Sequence, residues 1–290
     1  MKKWFLAARP KTLFVSVAPV VTGSALAYYY DCFQWKPALI CLLFALLAQI
    51  TSNFVNDYAD FKKGSDREDR VGPERAVATG AISPKAMLRA TFITIGLALI
   101  VGLSLIQYGG PWLILVGALV AIFAFAYSCG PYPLSYHGLG DVAVLIFYGI
   151  VPVVFTYYVQ GLNFPVSVLF AGVAVGLVGT NLLIVNNYRD LEADLLSGKR
   201  TTVVMLGRKT MSWVYLGNIV VAYNLAYAII GYNTMNSWIM FPFLIFSVIL
   251  WRKLTELRGK ALNKVLGMSA FNVLVFAVLL AVSLILRKGF

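Results

Sequence analysis

The stretch FPVSVLFAGVAVGLVGTNLLIV, residues 164–185, contains no charged side chain. Its apolar residues do not alternate regularly with polar ones, and the run is long enough to cross the roughly 30 Å hydrocarbon core of a bilayer as a helix. In lipid, only helices and closed barrels satisfy every backbone hydrogen bond. The stretch therefore predicts a membrane-spanning helix.

Eight further runs of this kind occur along the chain, whose mean hydropathy is +0.80. Soluble domains do not have such a composition. We predict an all-α polytopic membrane protein, with one domain over residues 1–290 and motif-bearing halves at roughly 1–140 and 141–290. The first run is expected to be a retained helix and not a signal peptide. The nine predicted transmembrane helices lie at roughly 12–30, 37–57, 86–107, 111–128, 140–159, 164–187, 210–231, 235–251 and 266–286.

Basic residues are distributed unevenly between the two ends of these helices. Of the 24 Lys and Arg residues, all but Lys36, Arg287 and Lys288 lie on the side of the N-terminus. The positive-inside rule therefore predicts a cytoplasmic N-terminus and an external C-terminus. The net charge of +12 is explained by this topology, so we expect membrane lipid around the protein and no nucleic-acid partner. Because His137 is the only histidine, a histidine-ligated metal cluster is excluded.

The opening run ends in a polar motif that occurs twice. NNYRD, residues 186–190, repeats the N-x-Y-x-D pattern of NDYAD, residues 56–60, which ends another apolar run on the same predicted side. The segments 56–80 and 186–202 together hold nine of the twelve acidic residues. The repetition of residue types, spacing and position favours a shared site over two solvated loops.

The oxygen-bearing side chains of each copy are spaced to share a helix face. Asn186, Asp190 and Asp194 would form one row on a helix, and Asn56 and Asp60 would form another. Stacked carboxylates near a membrane need a positive partner, and their oxygens suit Mg²⁺, which also binds phosphates. We therefore predict a metal site, with two exposed loops carrying surface salt bridges as the alternative.

Basic and aromatic residues near the two copies extend this hypothesis. Gly64 is expected to end the first helix and to let Asp66 return toward Asp60. Tyr127, beside an uncharged loop, is our candidate to stabilise a carbocation through its ring. A lipid diphosphate with its tail between the helices would suit such a site. The residues predicted to bind diphosphate oxygens, or otherwise to anchor the loops by their charge, are Lys63, Arg70, Arg75 and Lys199.

The two motifs resemble those of the UbiA superfamily of intramembrane aromatic prenyltransferases, and the resemblance covers nearly the whole chain. RPKTL (residues 9–13) and YSCGPYPLSYHGLGD (residues 127–141) are similar to its MenA branch, which prenylates 1,4-dihydroxy-2-naphthoate. Two departures occur: Asp66 lies two residues farther from Asp60 than in many relatives, and Ser135 stands where many carry Lys. The family's N-D-x-x-D, further Asp and D-x-x-x-D are matched by Asn56, Asp57, Asp60, Asp66, Asp190 and Asp194.

The resemblance implies that the chain transfers a polyprenyl group from polyprenyl diphosphate to 1,4-dihydroxy-2-naphthoate in a bacterial plasma membrane, releasing diphosphate and CO₂. It implies two Mg²⁺ ions, held by the six residues just named. Asp60, Asp190, Asp194 and Tyr127 are the expected catalytic residues, and Asn186 and Tyr188 the expected acceptor-binding residues. Another acceptor, such as 4-hydroxybenzoate or homogentisate, remains an alternative. A secondary transporter is more remote, because transporter sites lie near the bilayer midplane.

Overall fold

The computed structural model describes residues 2–62, 71–72, 75–128, 132–231 and 235–289. Within these ranges the chain is helical and contains no strand, which confirms the all-α prediction. The helices are α1 (Lys2–Ala7), α2 (Pro10–Tyr29), α3 (Trp35–Lys62), α4 (Pro84–Leu103), α5 (Ile106–Gly109), α6 (Leu113–Ser128), α7 (Gly140–Val144), α8 (Val151–Gly161), α9 (Val166–Arg189), α10 (Leu191–Leu196), α11 (Thr202–Ile230), α12 (Phe241–Glu256) and α13 (Leu262–Lys288). A π-helical stretch, Leu145–Ile150, joins α7 to α8, and short 3₁₀ turns lie at Leu134–Tyr136, Met235–Met240 and Gly259–Ala261.

Among the residues that the structure describes, eight of the predicted spans form helices that are long and apolar enough to cross a membrane. The run predicted at 111–128 instead forms α6, which has 16 residues. At 1.5 Å per residue α6 is about 24 Å long, shorter than the hydrocarbon core, so the ninth span stays a prediction. The eight spans are Pro10–Tyr29, Trp35–Lys62, Pro84–Gly109, Gly140–Gly161, Val166–Arg189, Thr202–Ile230, Trp238–Glu256 and Gly259–Lys288.

Helix α9, which contains the opening stretch of sequence, lies at the centre of the bundle. It packs against α11, α13 and the π-helical stretch. A Cβ atom added to Gly149 would lie 2.3 Å from the Cα of Gly176, and one added to Gly172 would lie 2.9 Å from the Cα of Ile150. Only glycine allows backbones to approach this closely. The glycines therefore fix α9 against the π-helical stretch between α7 and α8.

The segment that follows the first motif is held by its own small apolar cluster. Val77 and Ile82 are 2% and 1% exposed, and they cluster with Phe54 of α3 and Met87 of α4. Burial of these side chains stabilises the segment by removing apolar surface from water. The cluster therefore fixes this segment close to the end of α3, where the first motif lies.

The last helix returns to the beginning of the chain. Helix α13 packs most extensively against α2 and also contacts α9. Phe276 of α13 meets Phe243 of α12 edge to face, with ring centroids 4.9 Å apart. The bundle is thus closed by α13, which places its first turn beside the helix that carries the second motif.

Candidate active site

The first N-x-Y-x-D copy lies on the last two turns of α3. Asn56 and Asp60 are one turn apart on the same helix, which confirms the predicted row. The helix ends at Lys62. Four residues with predicted roles lie outside the described part of the chain: Lys63, Gly64, Asp66 and Arg70.

Asp57 is directed into the protein and is only 1% exposed. Its Oδ2 accepts a hydrogen bond from the backbone N–H of Ala76 at 3.1 Å, and its Oδ1 accepts one from Val77 at 3.2 Å. Buried backbone donors need such partners. These contacts favour a role in holding the following segment, and the metal-binding role of Asp57 stays a prediction.

Arg75 reaches back to the first motif and forms an ion pair with Asp60. The arginine side chain is 7% exposed and that of the aspartate 33% exposed. A buried positive charge beside an accessible carboxylate offsets the repulsion among the acids. Arg75 therefore lies beside the acidic row, where a diphosphate-binding residue was predicted.

The second copy lies at a junction between two helices, so the prediction of one continuous helical row was wrong. Helix α9 ends at Arg189, Asp190 has φ −93° and ψ 8°, and α10 begins at Leu191. The N–H of Asp194 still donates to the carbonyl of Asp190 at 2.8 Å. The two acids therefore flank a helix junction instead of extending one straight row.

Arg189 organises this junction. Its Nε donates to Oδ1 of Asp190 at 2.7 Å, and its Nη2 donates to Oδ2 at 2.6 Å. Nη2 also donates to Oδ1 of Asn186 at 2.9 Å, and Nη1 donates to Oδ1 of Asn263 at 2.8 Å. The amide of Asn263 donates in turn to the carbonyl of Val71 at 2.9 Å. These bonds connect the second motif, the last helix and the segment that follows the first motif.

Asp194 is buried beside a lysine. It is 6% exposed, and the Nζ of Lys199 lies 3.7 Å from its Oδ1. Burial raises the pKa of Asp194 to about 6; Lys199 lowers the pKa in part, and Asp190 raises it. The carboxylate is therefore mostly charged at neutral pH but takes up a proton under mildly acidic conditions.

The 3₁₀ turn Leu134–Tyr136 packs on the segment that follows the second motif. The N–H of Arg200 donates to the carbonyl of Tyr136 at 2.9 Å, and the Nζ of Lys199 lies 5.1 Å from the centroid of the Tyr136 ring. A Cβ atom added to Gly140, the first residue of α7, would lie 3.7 Å from the hydroxyl oxygen of Tyr127. The predicted aromatic candidate therefore lies beside the start of α7.

Tyr188 is engaged within the protein. It is 3% exposed, and the guanidinium carbons of Arg208 and Arg258 lie 5.4 and 5.5 Å from its ring centroid. Arg208 also donates to the carbonyl of Tyr188 and to Glu192. Asn186 accepts from Arg189, as described above. Acceptor binding by Tyr188 and Asn186 stays a prediction, and the observed contacts favour a supporting role.

Three residues at the site were missed by sequence reasoning. Asp141 lies in the first turn of α7, and its Oδ1 is buried without a hydrogen-bond partner among the described residues. Its signal in the sequence was an acid at the head of an apolar run. Arg189 lies inside the second motif, but only the oxygen-bearing side chains of that motif were predicted to have a role. Asn263 had no signal, because it lies 192 positions from Val71.

The oxygen donors of the two copies fit Mg²⁺ that is bound together with a substrate. Within the described ranges, no three His, Cys, Asp or Glu residues are grouped closely enough to hold a metal. Mg²⁺ commonly uses one or two carboxylates together with water and substrate phosphates. The side chains of Asp60 and Asp190, 33% and 23% exposed, are accessible for this purpose.

The family described as the UbiA prenyltransferase family matches residues 16–273. The chain belongs to this family. The UbiA match includes α3, α9 and α10, and therefore both copies of the acidic motif.

Two relatives agree with this assignment, and one solved structure shares the fold. The 1,4-dihydroxy-2-naphthoate octaprenyltransferase of Haemophilus influenzae is 39% identical over 71% of this chain and 70% of that protein. The Escherichia coli protein of the same name is 37% identical over 75% of this chain and 74% of its own. A UbiA homologue from Archaeoglobus fulgidus, solved with DMAPP and Mg²⁺, has 13% identity and a TM-score of 0.66 over 97% of this chain and 99% of that one, so it shares the fold.

Proposed function

We propose that this chain transfers a polyprenyl group from polyprenyl diphosphate to 1,4-dihydroxy-2-naphthoate, giving demethylmenaquinol, diphosphate and CO₂. One structural observation carries the proposal: the hydrogen-bonded chain from Asp190 through Arg189 and Asn263 to Val71 connects the regions of the two acidic motifs. The relatives named for this naphthoate support the choice of acceptor.

The diphosphate would be bound between the two acidic clusters. Asn56, Asp60, Asp190 and Asp194 supply oxygen ligands for Mg²⁺, with Asp66 as a further predicted ligand. Two bound ions would act as Lewis acids and offset the charge that develops on the leaving diphosphate. The residues proposed to hold the remaining diphosphate oxygens are Lys63, Arg70, Arg75 and Lys199.

The reaction itself requires little proton transfer. The bond between the allylic carbon and the diphosphate oxygen breaks, and the ring of Tyr127 stabilises the resulting cation. The ring carbon that bears the carboxylate attacks this cation. Loss of CO₂ then returns an electron pair to the ring and restores aromaticity. The protein therefore needs no base for a ring proton.

The setting of the proposed reaction is the bacterial plasma membrane. The excess of Lys and Arg residues on one side supports a cytoplasmic position for the N-terminus and both motifs and an external position for the C-terminus. The prenyl tail would lie among the apolar helices, while the charged diphosphate stays at the end of the bundle. This division matches the amphipathic chemistry of a lipid diphosphate.

Substitution of one acid in each motif tests the proposal. In purified full-length protein with Mg²⁺, Asp60→Ala and Asp190→Ala should each reduce diphosphate release and prenyl transfer on the order of 100- to 1,000-fold. Glu192→Ala is the matched control, because Glu192 is an acid of the same segment whose side chain is 69% exposed and pairs with Arg208. Turnover at the rate of the wild type in either aspartate variant would refute the two-cluster assignment.

An acceptor series tests the choice of naphthoate. One labelled polyprenyl diphosphate is incubated separately with 1,4-dihydroxy-2-naphthoate, 4-hydroxybenzoate and homogentisate. We expect a prenylated and decarboxylated product from the naphthoate alone. Transfer to another acceptor would keep the chemistry and change the substrate, whereas no Mg²⁺-dependent release of diphosphate would contradict a prenyltransferase.

A further inference from the structure

Arg189 is more enclosed than Arg75 and Lys199, the two described residues that are proposed to bind diphosphate. Its side chain is 2% exposed, compared with 7% for Arg75 and 32% for Lys199. A guanidinium that is this enclosed presents little surface to a substrate. Its contacts are with protein oxygens of Asp190, Asn186 and Asn263, so a role for Arg189 has to operate through those residues.

The contact with Asp190 leaves part of the carboxylate available. Arg189 donates once to each carboxylate oxygen, in the paired geometry of a guanidinium fork. An ionised carboxylate offers about four lone-pair sites, so roughly half of them remain. The side chain of Asp190 is 23% exposed, which leaves those sites accessible while the fork fixes the plane of the carboxylate.

Arg189 is also held from its other side. Nη1 donates to Asn263, whose own amide is held by the carbonyl of Val71. Moving the guanidinium away from Asp190 would break several charge-assisted bonds and leave a buried charge poorly paired, which is costly. The arginine is therefore anchored and is not a mobile group that alternates between Asp190 and a ligand.

We infer that Arg189 is a positioning residue for the metal: it orients Asp190 so that the free oxygen lone pairs face Mg²⁺–diphosphate, and Asn263 locks it in place. The inference rests on the proposed function, because it assumes that Asp190 binds the metal. Partners that orient a metal ligand typically change metal affinity about 10- to 100-fold. An arginine that competed with the ion would have the opposite effect.

Mn²⁺ binding measures the sign of this effect. Purified full-length protein is titrated with Mn²⁺ in the presence of inorganic diphosphate, and free Mn²⁺ is followed by electron paramagnetic resonance. Arg189→Gln should weaken Mn²⁺ binding about 10- to 100-fold, and Arg189→Lys, which keeps the charge without the fork, should give a smaller loss. Arg208→Gln is the matched control and should bind as the wild type does, because Arg208 contacts Tyr188 and Glu192 instead.

The steady-state kinetics should show a change in the metal dependence of the rate and none in the affinity for the acceptor. In Arg189→Gln the Mg²⁺ concentration for half-maximal rate should rise with the loss of Mn²⁺ affinity, while the KM for the acceptor stays unchanged. A merely structural role would move both parameters and the melting temperature together, and would overturn the inference. Unchanged or tighter Mn²⁺ binding in Arg189→Gln would also overturn it.

A second variant serves if Arg189→Gln does not fold. Asn263→Ala removes one anchor and keeps the ion pair, so it should weaken Mn²⁺ binding roughly three- to tenfold; no change would contradict the inference. Failure of the proposed function is a separate result. Loss of Mn²⁺ affinity in a protein that prenylates no aromatic acceptor would contradict the function and support the positioning role.

Discussion

The two N-x-Y-x-D copies share a sequence pattern, but the final aspartate of each copy pairs with an arginine at a different distance along the chain. In the first copy, Asp60 lies on a continuous helix and pairs with Arg75, fifteen positions farther along the chain. In the second, Asp190 lies at a helix junction and pairs with its neighbour Arg189, which is anchored by Asn263. The difference points to a division of roles: Arg75 is the residue proposed to bind diphosphate, while Arg189 supports the aspartate proposed to bind the metal.

The largest expected effect comes from removing the charge of the final aspartate in either copy. Asp60→Asn and Asp190→Asn should each slow prenyl transfer on the order of 100- to 1,000-fold. If both copies hold one diphosphate, the double variant should be little slower than the worse single variant, because groups that act as a unit are not additive. Single-turnover rates of the three variants test this, and losses that multiply would indicate two independent sites.

Substitutions of the two arginines should change different kinetic parameters. Arg75→Gln should raise the KM for polyprenyl diphosphate roughly tenfold, because a charge-assisted contact with the substrate is lost. Its half-saturating Mg²⁺ concentration should change less than that of Arg189→Gln. Initial rates over a grid of both concentrations measure this contrast. Equal changes of both parameters in the two variants would contradict different roles for the two arginines.

The second position of each copy offers a smaller effect, on stability. Asp57 and its counterpart Asn187 are both buried, at 1% and 8% exposure. Asp57→Asn should lower the free energy of unfolding by about 1–3 kcal/mol, because an amide has one acceptor oxygen and would set its N–H₂ against the backbone donors of Ala76 and Val77. Tryptophan fluorescence during heating would detect the change. An unchanged melting temperature would mean that these bonds contribute little.

The smallest expected effect is a dependence of stability on pH at Asp194. Its pKa in the folded protein is about 6, above the ordinary value of 3.8. The folded state therefore binds more protons than the unfolded state between these values, and metal-free protein should lose stability as pH rises from about 4 to 7. Asp194→Asn should reduce this decline in melting temperature. An equal decline in the variant would assign it to other groups.

The parts of the fold that depend on local composition could be predicted from the sequence. Apolar runs of sufficient length became helices because the backbone has no other partner in lipid, and the motifs lie at helix ends as expected. The junction at Asp190 was not predictable, because LEADLL, residues 191–196, contains good helix formers and neither Gly nor Pro. The span predicted at 111–128 is longer than helix α6, because composition alone does not fix where a helix begins.

The acidic residues of the site could be predicted from the sequence, but the contacts that hold them in place could not. Repetition of the motif identified Asp60 and Asp190, whereas the inward direction of Asp57 depends on the later backbone of Ala76 and Val77. The contact between Asn263 and Val71 joins residues 192 positions apart. One sequence contains no signal for such a pair, since neither residue is unusual where it stands.

The same contact has a consequence for how the enzyme is made. The ribosome synthesises the chain from its N-terminus, so both acidic motifs are made before α13, which carries Asn263. A nascent chain that lacks α13 has its aspartates but not the anchor that joins Arg189 to Val71. The connection between the two motif regions through Arg189 and Asn263 therefore forms only after the last helix has been made.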